Sequence, residues 1–584
     1  MKSELVRVVL FVPSRGSPDV MMNPPPPKRP RGTSDASAQA AALLAEAERE
    51  LAESHVEVDA SLDANSLKRL ILHFEKQING NMALRMKYGD QPERFLDSEL
   101  ELYQALKALH AVAAQPDLFP VFVKSKCVPS LLGLLAHENT DIANDALDLL
   151  QEMTSADDAA PEDLLVLVDA MLEHGAASML ADNLSRLDDA DDDDAGAAHS
   201  TLSIFESMLE ARPETSPELA QKTPLLSWLL KRVKTRGFHA VKLYASELLA
   251  LLLQQQPANQ AHLGQKCDGI LSLLTACAQY KRREPNDLEE AELVENIFNA
   301  LCAALEIAEN QALFLRAEGI ELMVLTLKEG RYASRGALRC LDAALVSNGA
   351  NCERFVDIRG FKTLFPLLGA APSPQPSFAK GRGEKEAAQR AHDEHVAGIL
   401  CTLFHQLADE RRQRLLGKFA EDDLAKAERL LALRAAYDER VTEAEAVAEA
   451  AIDAEGEVEE DEEDEEDVKP TAEERIYLAR MDAGQATLQR IDVILGYIAT
   501  AKAKPLRVAV LRGLYDQGRS LHDVAINVDE DAKVTSSVSR PDPTRDERLR
   551  KMNDAVQALL LKYEKPAARA DEDKAALDAG PDER

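Results

Sequence analysis

The stretch "CVPSLLGLLAHENTDIANDALDLLQEMT", Cys127–Thr154, decides the fold of this 584-residue chain. Its first nine residues carry apolar side chains at the spacing of a short helix. "HEN" turns the chain, and "TDIANDALDLLQEMT" returns as a longer helix. On that helix Ile142, Ala146, Leu149, Leu150 and Met153 form one stripe. One helical pair cannot enclose such a stripe, so neighbouring units must bury it.

The pattern recurs: a small residue, an apolar one, two of any kind, two apolar, one of any kind, two apolar. "GIELMVLTL" at Gly319 and "GFKTLFPLL" at Gly360 repeat it, with looser copies at Gly175, Pro224 and Gly269. Successive copies starting from Cys127 are offset by 48, 49, 45, 50 and 41 residues. A period slightly above 40 residues, with two or three helices per unit, is the armadillo/HEAT signature. The expected fold is all-α: an armadillo/HEAT-like right-handed α-solenoid with a C-terminal helical block, its long concave face lined by the last helix of each unit.

Composition agrees with helices packed on helices. Aromatic residues are 4% of the chain, with one tryptophan, Trp228, against an apolar fraction of 45%. The domain reading is residues 1–60 disordered, Pro-, Ser- and Ala-rich; 61–440 the repeat array, weakened at the Pro- and Gly-rich loop Ala371–Ala388; 441–471 an acidic linker; 472–564 a C-terminal helical block; and 565–584 a disordered tail.

The formal net charge is −34, and two short runs supply half of it. Glu455–Asp467 holds 11 acids in 13 positions and Asp188–Asp194 holds 6 in 7. An acidic surface repels phosphate and has few cations with which to release counterions, so direct nucleic-acid binding is not expected. The seven cysteines (127, 267, 277, 302, 340, 352 and 401) form no CxxC pair and read as buried hydrophobes in a reducing compartment. "MKSELVRVVLFV" is too short and too interrupted for a secretory segment, and no stretch reaches about 20 uninterrupted apolar residues. The expectation is a soluble intracellular chain without a membrane partner.

No catalytic motif emerges. The sequence has no GxGxxG, GxxxxGK[ST] or GxSxG, and His392 and His395 in "HDEH" offer two metal ligands without a third. No enzyme, metal or cofactor is expected. The sharper candidate is the concave face, where Asp148 and Glu152 stand beside the apolar stripe with Asn144 one turn earlier. Aligned by their apolar residues, Glu247, Glu295 and Asn299 occupy comparable positions. Carboxylates and amides about 6 Å apart along a groove suit an extended basic peptide. An ordinary exposed helix face is the competing reading of each residue. Near the start, "PPPPKRPRG" presents Lys28, Arg29, Pro30 and Arg31 in an extended setting, a segment that a peptide-reading receptor could take as an import label.

Longer stretches carry a resemblance. "NSLKRLILHFEKQINGNMALRMKYGDQPERFLDSELEL" and "PDLFPVFVKSKCVPSLLGLLAHENTDIANDALDLLQEMT" resemble the β-catenin-like protein 1 family of nuclear armadillo proteins. So do "LLSWLLKRVK", "KLYASELLALLLQ", "CERFVDIRGFKTLFPL", "DEHVAGIL" and "IYLARMDAGQATLQRI", making the likeness collinear from about Asn65 to Glu564. The resemblance implies a nuclear, spliceosome-associated scaffold. Its implied partners are proteins: splicing factors with basic, nuclear-localisation-type segments, the nineteen complex and its Myb-repeat subunit. It also implies that Lys28, Arg29 and Arg31 match the family's own import signal. The N-terminal extension, the Asp188 run, the Pro-rich loop and the long acidic run depart from the family pattern.

Two alternatives stay open: an importin-like transport adaptor and an adhesion or signalling armadillo protein. Against the adaptor, the place of a groove tryptophan is held by Asp148, and Trp228 stands alone. A second copy of the chain also remains among the partner classes.

Overall fold

The computed structural model describes residues 62–156, 159–187, 192–372, 382–455, 470–538 and 542–578. The basic segment 28–31 and acidic residues 456–467 lie outside them. Every regular element among the described residues is helical. The chain divides into two compact units, one ending at Cys267 and one running from Asp268 onward.

The first unit contains α1 (Ala64–Tyr88), α2 (Leu96–Leu109), α3 (Phe119–Lys124), α4 (Cys127–Leu134), α5 (Thr140–Thr154), α6 (Pro161–Glu173), α7 (Ala176–Leu184), α8 (Asp192–Ala211), α9 (Ser216–Lys222), α10 (Leu225–Lys234), α11 (Ala240–Leu253) and α12 (Pro257–Lys266). The stripe expected on α5 is its buried face: Ile142, Ala146, Leu149, Leu150 and Met153 are at most 1% exposed. Asn139 starts the helix by accepting a hydrogen bond from the Asp141 amide. Helices α2, α5, α8 and α11 pack side by side as one row.

The second unit contains α13 (Gly269–Gln279), α14 (Leu288–Ala304), α15 (Ala308–Arg316), α16 (Gly319–Glu329), α17 (Ser334–Leu345), α18 (Gly349–Asp357), α19 (Phe361–Leu364), α20 (Arg382–Gln406), α21 (Asp409–Ala420), α22 (Ala425–Glu455), α23 (Ala472–Ala483), α24 (Gln485–Thr500), α25 (Lys504–Asp516), α26 (Leu521–Val538) and α27 (Pro543–Asp578). Its corresponding row is α14, α17, α20 and α24.

The recurring small residue marks the corner between the first and second helices of a repeat. Just before it stands a residue in the left-handed region: Lys126, Asp268, Glu318 and Arg359, with φ between 50 and 66°. After Glu318 and Arg359 the chain passes so close to the preceding aromatic ring that a Cβ on Gly319 or Gly360 would lie 2.5 Å from Phe314 or Phe355. Gly175, aligned above as the small residue, is itself the left-handed residue (φ 77°), and Ala176 takes the small position.

Wholly buried asparagines close the other corner, where one repeat hands over to the next. Asn259 Nδ2 donates to Leu252 O at 2.8 Å, Asn310 Nδ2 to Ala304 O at 2.8 Å, and Asn351 Nδ2 to Ala344 O at 2.7 Å. Each satisfies a carbonyl at the end of the preceding row helix.

The C-terminal block is built into the second unit rather than set apart by a spacer. Every residue of α24 from Thr487 to Ala499 except Arg490 is buried, and α20, α22, α25, α26 and α27 surround it. Tyr497 stacks on Phe404 with ring centroids 5.3 Å apart, and the Arg412 guanidinium lies 4.8 Å from the Tyr497 ring. One buried ion pair ties α22 to α24: Arg434 Nε donates to Asp492 Oδ1 at 2.7 Å, and Asn527 Nδ2 to Asp492 Oδ2 at 2.6 Å. Helix α22 continues to Glu455, into the stretch from residue 441 read as linker. Its "TEAEAVAEAAIDAE" is made of strong helix formers. Likewise α27 runs to Asp578, into the stretch read as tail, through "AARADEDKAALD".

Two stability measurements check this packing. A Cβ on Gly336 of α17 would lie 2.3 Å from the buried Phe298 ring, so Gly336→Ala should cost about 1–3 kcal/mol in chemical unfolding. Gly133→Ala on α4, with open space around it, should be neutral or stabilise by up to about 1 kcal/mol. Arg434→Met strands the Asp492 carboxylate in the core and should cost about 3–5 kcal/mol. Adding Asp492→Asn, which removes the charge but keeps a hydrogen-bonding partner for Asn527, should recover much of that loss.

Candidate functional site

Three neighbouring row helices of the first unit assemble an acidic surface around α5. Asp145 lies inside the apolar arc of that helix, only 4% exposed, and meets Lys107 Nζ of α2 at 2.6 Å. His110, just beyond α2, stands between two carboxylates: its Nε2 is 3.5 Å from Asp145 Oδ1, and its Nδ1 is 2.6 Å from Glu152 Oε2. Asp148 and Glu152 are exposed, and Asn144 is half-buried. From α8, Ser200 Oγ donates to Asp148 Oδ1 at 3.2 Å. Further along the row the Tyr244 hydroxyl of α11 donates to Glu206 of α8, and the His199 and Tyr244 rings lie 4.9 Å apart. Glu247 is exposed on α11.

Asn144, Asp148 and Glu152 therefore share one helix, and Glu247 stands two row helices away in the same unit. Asp145, His110, Lys107 and Glu206 complete the set without having been singled out from sequence. A signal existed for Asp145: an acid three residues after Ile142, inside the apolar stripe, needs a cation.

Glu295 and Asn299 belong to α14 of the second unit, where the row is laced by its own ion pairs. Glu295 meets Arg339 of α17 at 3.0 Å, Asp342 meets His395 of α20 at 2.9 Å, and Glu394 meets Arg490 of α24 at 3.1 Å. Asn299 is exposed. The "HDEH" pair lies within α20 rather than at its start, and its imidazoles point to different partners: His392 Nε2 contacts Leu367 O at 3.0 Å, and His395 contacts Asp342. Trp228 sits on α10, outside the row; its indole Nε1 donates to Leu184 O at 3.0 Å, and the Arg232 guanidinium covers the ring at 4.7 Å.

Residues 42–528 match the family described as catenin-beta-like, Arm-motif containing and nuclear. β-Catenin-like protein 1 of Mus musculus is 41% identical over 465 residues, 79% of this chain and 80% of the mouse protein. The Homo sapiens protein is 40% identical over 494 residues, 84% of this chain and 85% of its own length. The homolog of Schizosaccharomyces pombe is 32% identical over 380 residues, 64% of each chain. The chain belongs to the β-catenin-like protein 1 family.

The family match spans both helical rows and continues through α25 into α26. Both the acidic surface on α5 and the buried α24 thus fall within the region shared with the β-catenin-like protein 1 family, whereas α27 lies beyond it.

The site's charges respond to one another. Burial disfavours a charged His110, but the Asp145 carboxylate beside it and the hydrogen bond to Glu152 outweigh it and raise the imidazole above its ordinary value of 6.5. Partial burial raises the Asp148 carboxyl, against the hydrogen bond from Ser200. By contrast, burial drives His405 down to about 3.

Since the folded value for His110 lies above the unfolded one, its contribution to stability is complete below about pH 6.5 and is lost as pH rises through the folded value. His110→Ala should therefore cost on the order of 1 kcal/mol in acid and less in mild alkali, measured by denaturant unfolding at several pH values. A cost that grows with pH would contradict the assigned contacts.

Proposed function

We propose that this chain is a nuclear scaffold of pre-mRNA splicing that holds basic, nuclear-localisation-type segments of partner proteins against the acidic row of its first unit. The observation that carries this reading is the exposed carboxylate pair Asp148 and Glu152 on α5, with Glu206 and Glu247 further along the same row. Lys107 holds the buried Asp145, and His110 meets Glu152. An extended peptide crossing α5, α8 and α11 would meet carboxylates for its Lys and Arg side chains, and the Asn144 amide for its backbone.

Membership of a family described as nuclear supports the location, and the resemblance noted above supports the spliceosomal setting, with the nineteen complex and its Myb-repeat subunit as the partners to test. The importin-like alternative is weakened by Trp228, which lies on α10 outside the row and donates to the Leu184 carbonyl at the end of α7. The second unit is a poorer candidate for the cationic segment, because its Glu295 is already matched by Arg339.

Titration of the full chain with a basic splicing-factor peptide tests the assignment. Asp148→Lys with Glu152→Lys should weaken binding by about 1–3 kcal/mol, with unchanged circular dichroism and a shallower salt dependence. Unchanged affinity at low and moderate salt would move the binding site off α5. Affinity purification that returns no splicing subunits, with or without nuclease, would defeat the spliceosomal assignment while leaving the peptide site testable.

A further inference from the structure

Two cysteines on adjacent row helices of the second unit face each other. Cys302 of α14 and Cys340 of α17 bring their sulfurs to 3.3 Å. Cys302 is half-buried, whereas Cys340 is wholly buried, its thiol directed towards Phe298 O at 3.8 Å. Beside them the Arg339 guanidinium, held by Glu295, adds a positive charge. The hydrogen bond from Cys340, aided by Arg339, holds the Cys302 thiol below its ordinary range despite burial. Burial pushes Cys127, Cys277 and Cys352 the other way. A half-buried thiol held below its ordinary range and set 3.3 Å from a second thiol has the geometry of a redox-sensing pair.

We propose that Cys302 and Cys340 are a peroxide-sensitive thiol pair, Cys302 being the sulfur that is oxidised first and Cys340 the one that resolves it. The Cys302 thiolate displaces the O–O bond of a hydroperoxide, taking one oxygen as a sulfenic acid, while the other oxygen picks up a proton and leaves as water or alcohol. The Cys340 sulfur then attacks the Cys302 sulfur; the sulfenic hydroxyl leaves with the Cys340 proton as water. Two thiols are oxidised to one disulfide, and one peroxide is reduced by two electrons. The bond would join α14 to α17 directly beside the Glu295–Arg339 pair and close a loop that contains α15 and α16.

Limited hydrogen peroxide treatment of the reduced full chain, followed by non-reducing peptide mass mapping, tests the pair. Expected is a cross-linked peptide containing Cys302 and Cys340, formed before any change at the half-buried Cys267 and reversed by dithiothreitol. In Cys340→Ser the sulfenic acid on Cys302 should persist and be trapped by dimedone; in Cys302→Ser the cross-link should vanish and Cys340 should stay unmodified. Circular dichroism of each variant confirms that the reaction reports on folded protein. Oxidation of Cys267 ahead of Cys302 would overturn the proposal. So would over-oxidation of Cys302 in the intact chain as fast as in Cys340→Ser. The readout is a covalent mass and does not depend on peptide binding.

Discussion

The repeats depend on how the exposed end of one row helix is joined to the next repeat without leaving bare carbonyls in the core. A buried carbonyl without a donor costs roughly as much as a lost hydrogen bond, on the order of 1–3 kcal/mol, and the cost would recur at every junction. Asn259, Asn310 and Asn351 remove it by turning a side-chain amide back six or seven residues onto Leu252, Ala304 and Ala344. Because each asparagine is also at the start of the next repeat, the same bond fixes where that repeat begins. Asn259 reaches further, donating to the Ser216 hydroxyl at 2.9 Å and so tying α12 to α9. Repeat spacing in these places is thus set by a polar contact, with apolar burial filling the space that the contact defines.

The two rows use their charge differently. In the second unit, acid on one helix finds a base on the next: Glu295 with Arg339, Asp342 with His395, Glu394 with Arg490. Such pairs hold neighbouring helices in register and leave little carboxylate for a ligand. In the first unit Lys107 and His110 meet Asp145 and Glu152 of α5, and further acids, Glu206 and Glu247, stand on α8 and α11. Gly398 shows how closely the second row is fitted, since a Cβ there would come within 2.8 Å of the Asp342 carboxylate.

What could be read from the sequence follows the apolar periodicity. The stripe on α5 and the six copies of the repeat were legible because burial on one face leaves a regular signature. Asp145 offered only the sign of an acid within the stripe, and its partners Lys107 of α2 and His110 just beyond α2 came from the fold. The position of Gly175 was misjudged by one residue because small size and left-handed backbone both favour glycine, and only the fold separates them: Gly319 is small for Phe314, whereas Gly175 is glycine for its φ. The asparagine device stands in "QPAN", "AEN" and "GAN" at offsets of 51 and 41 residues, close to those of the small residue, but one polar position per repeat is a fainter signature than an apolar face.

The C-terminal block illustrates the opposite error, in which charge hid packing. The acidic run reads as a linker between the repeat array and a C-terminal helical block. Yet "IDVILGYIA" within α24 is apolar all round, and a helix of that kind has no stable place at a surface. Its single interior acid, Asp492, could be buried only with a cation brought by another element, and Arg434 of α22 supplies it, itself 1% exposed. Desolvating both charges offsets much of their attraction, so the pair adds less to stability than to specificity: an apolar partner in place of Arg434 would leave a bare carboxylate, and a shifted helix would do the same. The pair therefore selects one register for α24 among the helices that enclose it. Arg434 Nη1 also lies 3.6 Å from Asp438, which Arg519 Nε of the chain just beyond α25 contacts at 2.7 Å, so the selection extends from α24 to the helix that follows it.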